Sequence, residues 1–302
     1  VSLMKLANEG FRKILVAQKA GGDNTVRIVG AHGFNPEITL SVKEGFTGTI
    51  VLQNASFTSE RDLPRIDCGE NTDLHIVLEG RNVCKVGGIK VPESSRVTFT
   101  GNGDMKITVN GSMYYGIGND VKSKHGVLKF KQDGAIAIDA NGVDGVAIGA
   151  GYGGQLRVEK GRYDICVNGN HGVAIGSIHT PVDLKLLQCD IDIEFDAAVG
   201  VAIGSCNEHA DIMVRNTSIA LRGSSSKYVA MGTLDGDGCM VDICRTHVDM
   251  NLKGDSCIAI GADHGKADVR LEDANSRLAV QGEQCFAIGS RDGRGILSSS
   301  NA

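Results

Sequence analysis

The pentapeptide GVAIG stands at residues 145–149, 172–176 and 200–204, and variants of it stand at 114–118 (YYGIG), 228–232 (YVAMG), 257–261 (CIAIG) and 285–289 (CFAIG). The glycines that close the seven copies are 118, 149, 176, 204, 232, 261 and 289, so the spacings are 31, 27, 28, 28, 29 and 28. A fixed period of this length marks stacked structural repeats and has to be read before any local propensity.

Each period holds three short apolar runs. One is the VAIG run. A second contains Leu128, Leu156, Leu184, Ile212, Val241 and Val269, each with an apolar residue two positions on. A third is Ile136/Ile138, Ile165/Val167, Ile191/Ile193, Ile219/Leu221, Val248/Met250 and Leu278/Val280. Alternation of apolar with other residues is the period of a strand with one buried face. Gly, Asn, Asp and Ser fill the gaps, as turns require. Three strands per period with no helix between them predict an all-β fold, a single-stranded, right-handed, three-faced parallel β-helix with about 28 residues per coil. The expected organisation is a capping helix within 1–22, irregular coils over 23–113 and regular VAIG coils over 114–297 of a 23–297 solenoid. The cap is expected because a solenoid end exposes its core and its strand edges. The helix is placed over 2–19, where Leu3, Leu6, Ala7, Phe11, Ile14 and Leu15 share a side and Gly21–Gly22 ends it.

Composition suits thin, repetitive layers. The 302 residues include 41 Gly, 4 Pro and no Trp, with 4% aromatics against 41% apolar residues. A net charge of -5 provides no basic footprint, so nucleic acid is not an expected partner. No apolar stretch is long enough to span a membrane. Nine cysteines (68, 84, 166, 189, 206, 239, 244, 257 and 285) form no CxxC pair and sit in or beside aliphatic runs. They are expected as core thiols, which points to a reducing compartment. The chain opens on Val, and a longer multidomain chain is the expectation.

The stretches IDCGENTDLHIVLEGRNVC (66–84) and GIKVPESSRVTFTGNGDMKITVNG (88–111), followed by Gly-rich repeats, carry a resemblance. They resemble the bacterial parallel β-helix proteins known as carbohydrate-binding-domain-containing, common on the surfaces of Gram-positive anaerobes; the match runs over about residues 49–295. The resemblance implies a cell-surface or secreted location, in contrast to the cytoplasmic location the thiols suggest. It also implies adhesion through a polysaccharide ligand. The expected function is therefore a non-enzymatic binding or scaffold module that takes a polysaccharide or a protein along one long face. The alternatives are a polysaccharide lyase or glycoside hydrolase acting on acidic glycans, and a structural spacer.

Within VAIG, Val and Ile are two apart and are expected to face inward. The alternate residues Ala147, Ala174, Ala202, Ala230, Ala259 and Ala287 would then form a smooth outward strip edged by the hydroxyls of Ser177 and Ser205, with Tyr152 as an exposed aromatic. These are the expected ligand-binding residues. Asp164 and Asp192 lie one period apart with Glu194 beside them, a carboxylate row suited to Ca²⁺ and to an acidic sugar. No catalytic constellation stands out, and His171 is expected in a turn.

Overall fold

The computed structural model describes residues 1–19, 21–22, 24–60 and 64–301; Ala20 and Asp23, at the expected boundary between cap and solenoid, lie outside that set. Two parallel sheets wind into a β-solenoid of about 10 turns of about 28 residues. One sheet, of 11 strands, is built from the second run of each period and runs from Thr25–Val29 through Val127–Phe130, Gln155–Val158 and Val182–Leu187 to Gly295–Ser300. The other is built from long strands: Ala135–Ala150, Gly161–Ser177, Cys189–Ser205, Ser218–Thr233 and His247–Ala262. Each long strand contains both the third run and the VAIG run of its coil.

Register follows the repeat. Leu128, Leu156, Leu184, Ile212, Val241 and Val269 are successive partners and all are buried. Burying one such side chain contributes roughly 1.5–3 kcal/mol, so a column of six is a large share of the adhesion between coils. In the third run the alignment is offset by two residues at three places: Ile138 pairs with Ile165, Ile165 with Ile193, and Met250 with Leu278. A slip of two preserves the buried face, whereas a slip of one would turn every apolar residue outward. Aromatics also stack between coils, with Phe99 on Phe130 at 5.0 Å and Phe195 on Tyr228 at 5.7 Å between ring centroids.

The closing glycines have φ between 128° and 147°. From Gly118 to Gly261, a Cβ on each would overlap the backbone carbonyl oxygen of the closing glycine one coil on. Backbone runs so close to backbone in this column that no side chain fits, which is why the residue recurs.

At the N-terminus the helix is shorter than expected. It spans Leu3–Asn8, with the Ser2 side chain accepting from the Lys5 amide, and Gly10 leaves it at φ 82°. Lys13–Val16 is a strand paired in parallel with Thr39–Val42, and it buries Ile14 and Val16 while Leu15 faces out. The i, i+2 spacing of Ile14 and Val16 prevails over the helical reading once a neighbouring strand supplies hydrogen bonds. Leu3 is fully buried, and Leu6 and Ala7 pack beside it, so the short helix still covers the core at this end. No helix among the described residues is long and apolar enough to cross a membrane.

Candidate functional site

The small-residue strip is not at the surface. Ala147, Ala174, Ala202, Ala230 and Ala259 are completely buried in the main core together with Ile148, Ile175, Ile203, Met231 and Ile260. Ala287, on the last coil, is partly buried. The neighbouring Val146, Val173, Val201, Val229 and Ile258 belong to a second, separate cluster that also contains Cys206 and Leu234. Expected orientation is thus inverted: Ala faces the interior and Val faces out. Ala and the following Ile both enter the core because strict alternation fails next to the glycine corner. The outward Val row stays dry because the loop after each corner folds back over it.

Those loops follow one plan. The second residue after the glycine (Ile178, Cys206 and Leu234) lies on the Val row. Backbone bonds stack each loop on the one before, with the Cys206 amide donating to Ser177, Leu234 to Ser205 and Asp263 to Thr233. The hydroxyls expected to edge a ligand strip are also buried. Ser205 donates to the Thr180 carbonyl at 2.9 Å, Thr233 to the Glu208 carbonyl at 2.6 Å, and Ser177 to the Thr180 carbonyl. A loop turned toward the core leaves carbonyls away from water, and these hydroxyls satisfy them. The five buried alanines, with Ser177 and Ser205, are structural residues that no ligand can reach.

From Gly149 onward, the third residue after each closing glycine points away from the solenoid. On six successive coils it is Tyr152, His179, Asn207, Asp235, His264 and Asp292, all exposed or half-exposed. Neighbouring side chains touch in two groups, Tyr152 to Asn207 and Asp235 to Asp292. The Tyr152 ring lies 5.1 Å from the His179 ring, and the Asn207 amide nitrogen is 3.1 Å from His179 Nδ1. His264 reaches Asp235 at 3.6 Å through Nε2 and Asp292 at 3.1 Å through Nδ1. The result is a polar ridge whose rungs are one strand spacing apart, about 4.8 Å. Tyr152, 44% exposed, also borders an open depression of about 630 Å³ lined by Glu70, Glu93, Ser94, Asn119, Lys122, Ser123 and Lys124. Beneath it His125 is buried, with Nδ1 3.0 Å from the Gly126 carbonyl; burial pulls its pKa down to about 4 and keeps it neutral.

Of the expected site residues, only Tyr152 is on this ridge. The other rungs share a loop position and not a residue type, so only alignment on the closing glycine reveals them.

Toward the C-terminus the cover of the Val row changes character. In place of Leu234 the next coils bring Asp263 and Arg291, and in place of Val199 the next coil brings Lys227. Asp263, 1% exposed, meets Arg291 at 2.7 Å and Lys227 at 3.0 Å, and Lys227 also reaches Asp235 at 2.9 Å. Burial disfavours the Lys227 charge, but hydrogen bonds to Asp235 and Asp263 outweigh it and hold its pKa above the ordinary lysine value. Asp235, Asp263 and His264 are the one group among the described residues whose metal-ligand atoms all lie within 4.8 Å of one another. Two cations already balance the Asp263 carboxylate, so the group is built as an ion-pair network.

Asp164, Asp192 and Glu194 lie on the outer face of the long-strand sheet. Asp164 and Asp192 are register partners, and Glu194 pairs with Cys166. With Lys106, Asp139 and Arg222 they line a shallow surface. Arg162 binds Asp164 at 3.1 Å and Arg222 binds Asp192 at 2.9 Å, so the repulsion that would recruit Ca²⁺ is met by arginines, and the three carboxylates do not converge on one point. His171 lies within a strand and not in a turn; its Nδ1 is 2.7 Å from Asp144, its partner on the preceding coil. All nine cysteines are free, and burial raises the pKa of Cys84, Cys189, Cys206 and Cys239 to about 12.

No protein-family model, curated protein or solved structure matches the chain.

Proposed function

We propose that the chain is a non-catalytic binding module and that its loop ridge holds an extended polysaccharide. The supporting observation is the repetition of an outward polar or aromatic rung at one loop position on six coils, from Tyr152 to Asp292. Sugar hydroxyls both donate and accept hydrogen bonds, and the rungs offer both: Asn207 and the histidines donate, while Asp235 and Asp292 accept. The Tyr152–His179 pair adds a ring surface at one end, of the kind on which the apolar face of a sugar packs. A solenoid holds its rungs at fixed spacing before ligand arrives, which lowers the ordering cost of binding. The ridge is open along its length, as a ligand longer than a few residues requires.

A glycan array of neutral and acidic oligosaccharides, with and without Ca²⁺, followed by calorimetry on the ligands retained, tests this reading. Affinity should rise with chain length as more rungs engage. Tyr152→Ala with His179→Ala should weaken binding about tenfold or more, in line with about 1.4 kcal/mol per decade, and leave thermal stability unchanged. Retention of no glycan, or affinity indifferent to both substitutions, would refute it.

A further inference from the structure

Free thiols are spread along the whole chain, and the strand register sets two of them face to face. Cys257 and Cys285 are partners on neighbouring coils, in the parallel pair that joins His247–Ala262 to Gln284–Ser290. Among the described residues no other cysteine has a cysteine for a register partner. Cys84 stands between Phe57 and Ile107, Cys166 between Asp139 and Glu194, and Cys239 between Ala210 and Ala267. Cys257 and Cys285 continue the column of Tyr228, and both turn toward the core: Cys257 is fully buried in it and Cys285 packs against it.

Partners on adjacent strands lie about 4.8 Å apart. A disulfide joins Cα atoms about 4.4–6.8 Å apart whose side chains point the same way, so this pair needs no backbone movement to close. The two sulfurs already interact. Burial, then a hydrogen bond and charge repulsion from Cys285, push the Cys257 thiol up to about 12. The Cys285 thiol also donates to the Gly254 carbonyl at 3.4 Å. At the far end of the same strand pair Arg291 ties the two coils, donating to Asp263 at 2.7 Å and to Ser256 Oγ at 2.9 Å.

We propose that Cys257 and Cys285 form a redox-responsive bridge that locks the coil carrying Gln284–Ser290 to the coil carrying His247–Ala262. The oxidant is a small-molecule disulfide, for which oxidised glutathione serves as the probe. One protein thiolate attacks it, forming a mixed disulfide and releasing one glutathione thiolate, which takes up a proton. The second protein thiolate attacks the protein sulfur of the mixed disulfide, and the other glutathione leaves in the same way. Two electrons and two protons pass from the protein thiols to the oxidant, which departs as two thiols. Because the thiolate is the nucleophile, closure quickens as pH rises toward the range where Cys257 ionises. The bridge restricts opening of both coils, which are therefore tighter in an oxidising compartment than in a reducing one. It does not depend on what the loop ridge binds.

The test equilibrates the unmodified whole chain with excess oxidised glutathione at mildly alkaline pH until its mass stops changing, then denatures, alkylates and digests it without reductant. The expected product is lighter than the reduced chain by two hydrogens, with 257 and 285 in one cross-linked peptide and every other cysteine alkylated. Hydrogen exchange within 257–290 should slow about tenfold or more on oxidation and recover with dithiothreitol. Cys285→Ser should abolish the cross-link, and Cys166→Ser, on the outer face of the sheet, should leave it. A stable mixed disulfide on one cysteine, a bridge between another pair, a full set of free thiols, or exchange within 257–290 indifferent to oxidation would overturn the proposal. The mass and exchange readouts use the unmodified chain, so they hold even where a variant fails to fold.

Discussion

Arg291 donates to the Asp263 carboxylate at 2.7 Å, on the row where the preceding coils place Leu234 and Cys206 against their outward valines. The same cover is thus apolar over three coils and ionic over the next two. Removing one member of a buried ion pair leaves its partner's charge uncompensated, which typically costs about 3–5 kcal/mol, whereas a well-packed apolar replacement is often neutral. Asp263→Ala should therefore destabilise the C-terminal coils by about 3 kcal/mol. Lys227→Val with Asp263→Leu, which copies Val199 and Leu234, should recover most of that loss. Urea midpoints of the two variants, read beside hydrogen exchange in 230–290, check the pair.

Ala174 tests the inverted strip. A leucine at an exposed strand position would change stability by a few tenths of a kcal/mol. In the core beside Ile175, where the residue is fully buried, extra methylenes force neighbours off their rotamers at a cost of about 1–3 kcal/mol. Ala174→Leu is expected to lower the urea midpoint by that amount, and an unchanged midpoint would return the row to the surface.

Gly204 carries the corner argument. Its φ is 140°, and an added Cβ would overlap the carbonyl oxygen of Gly232 on the next coil. Backbone on both sides of the contact cannot rotate away as a flexible side chain would. Gly204→Ala should cost more than about 4 kcal/mol, in the range reserved for core overpacking and backbone strain. Because coils unfold with their neighbours and not as one block, the loss should show first as faster hydrogen exchange in the coils on either side.

Much of the fold is legible from residue spacing, and the places where it is not have physical causes. The glycine period and the column from Leu128 to Val269 report a repeated backbone, which sequence records directly. Orientation within VAIG is hidden because alternation presumes a straight strand: at the corner Ala147 and Ile148 enter the same core. Val146 could be buried while facing out only because a loop covers it, and that cover is a tertiary fact. Residues 13–16 read as helix because Leu3, Leu6 and Leu15 fit a helical stripe, yet pairing with Thr39–Val42 is not visible from within the segment. The ridge escapes notice for a different reason. Tyr152, His179 and Asn207 have no chemistry in common, and only their offset from the glycine unites them.

His125 should give the protein an acid-sensitive step of its own. It is 2% exposed behind the Tyr152 loop, its amide donates to the Gly153 carbonyl at 2.9 Å, and burial lowers its pKa to about 4 from an ordinary 6.5. Above pH 6.5 neither the folded nor the unfolded state binds this proton, so the site contributes no slope. Between 6.5 and about 4 the unfolded chain is protonated and the folded one is not, so stability falls as pH falls. Two to three pKa units correspond to about 3 kcal/mol over that window, with no further loss from this group below it. His125→Gln removes the titration, and its stability should be flatter than wild type between pH 6.5 and 4 even if it is lower throughout. Parallel slopes for the two proteins would show that His125 is reached by solvent and that the Tyr152 loop does not seal over it.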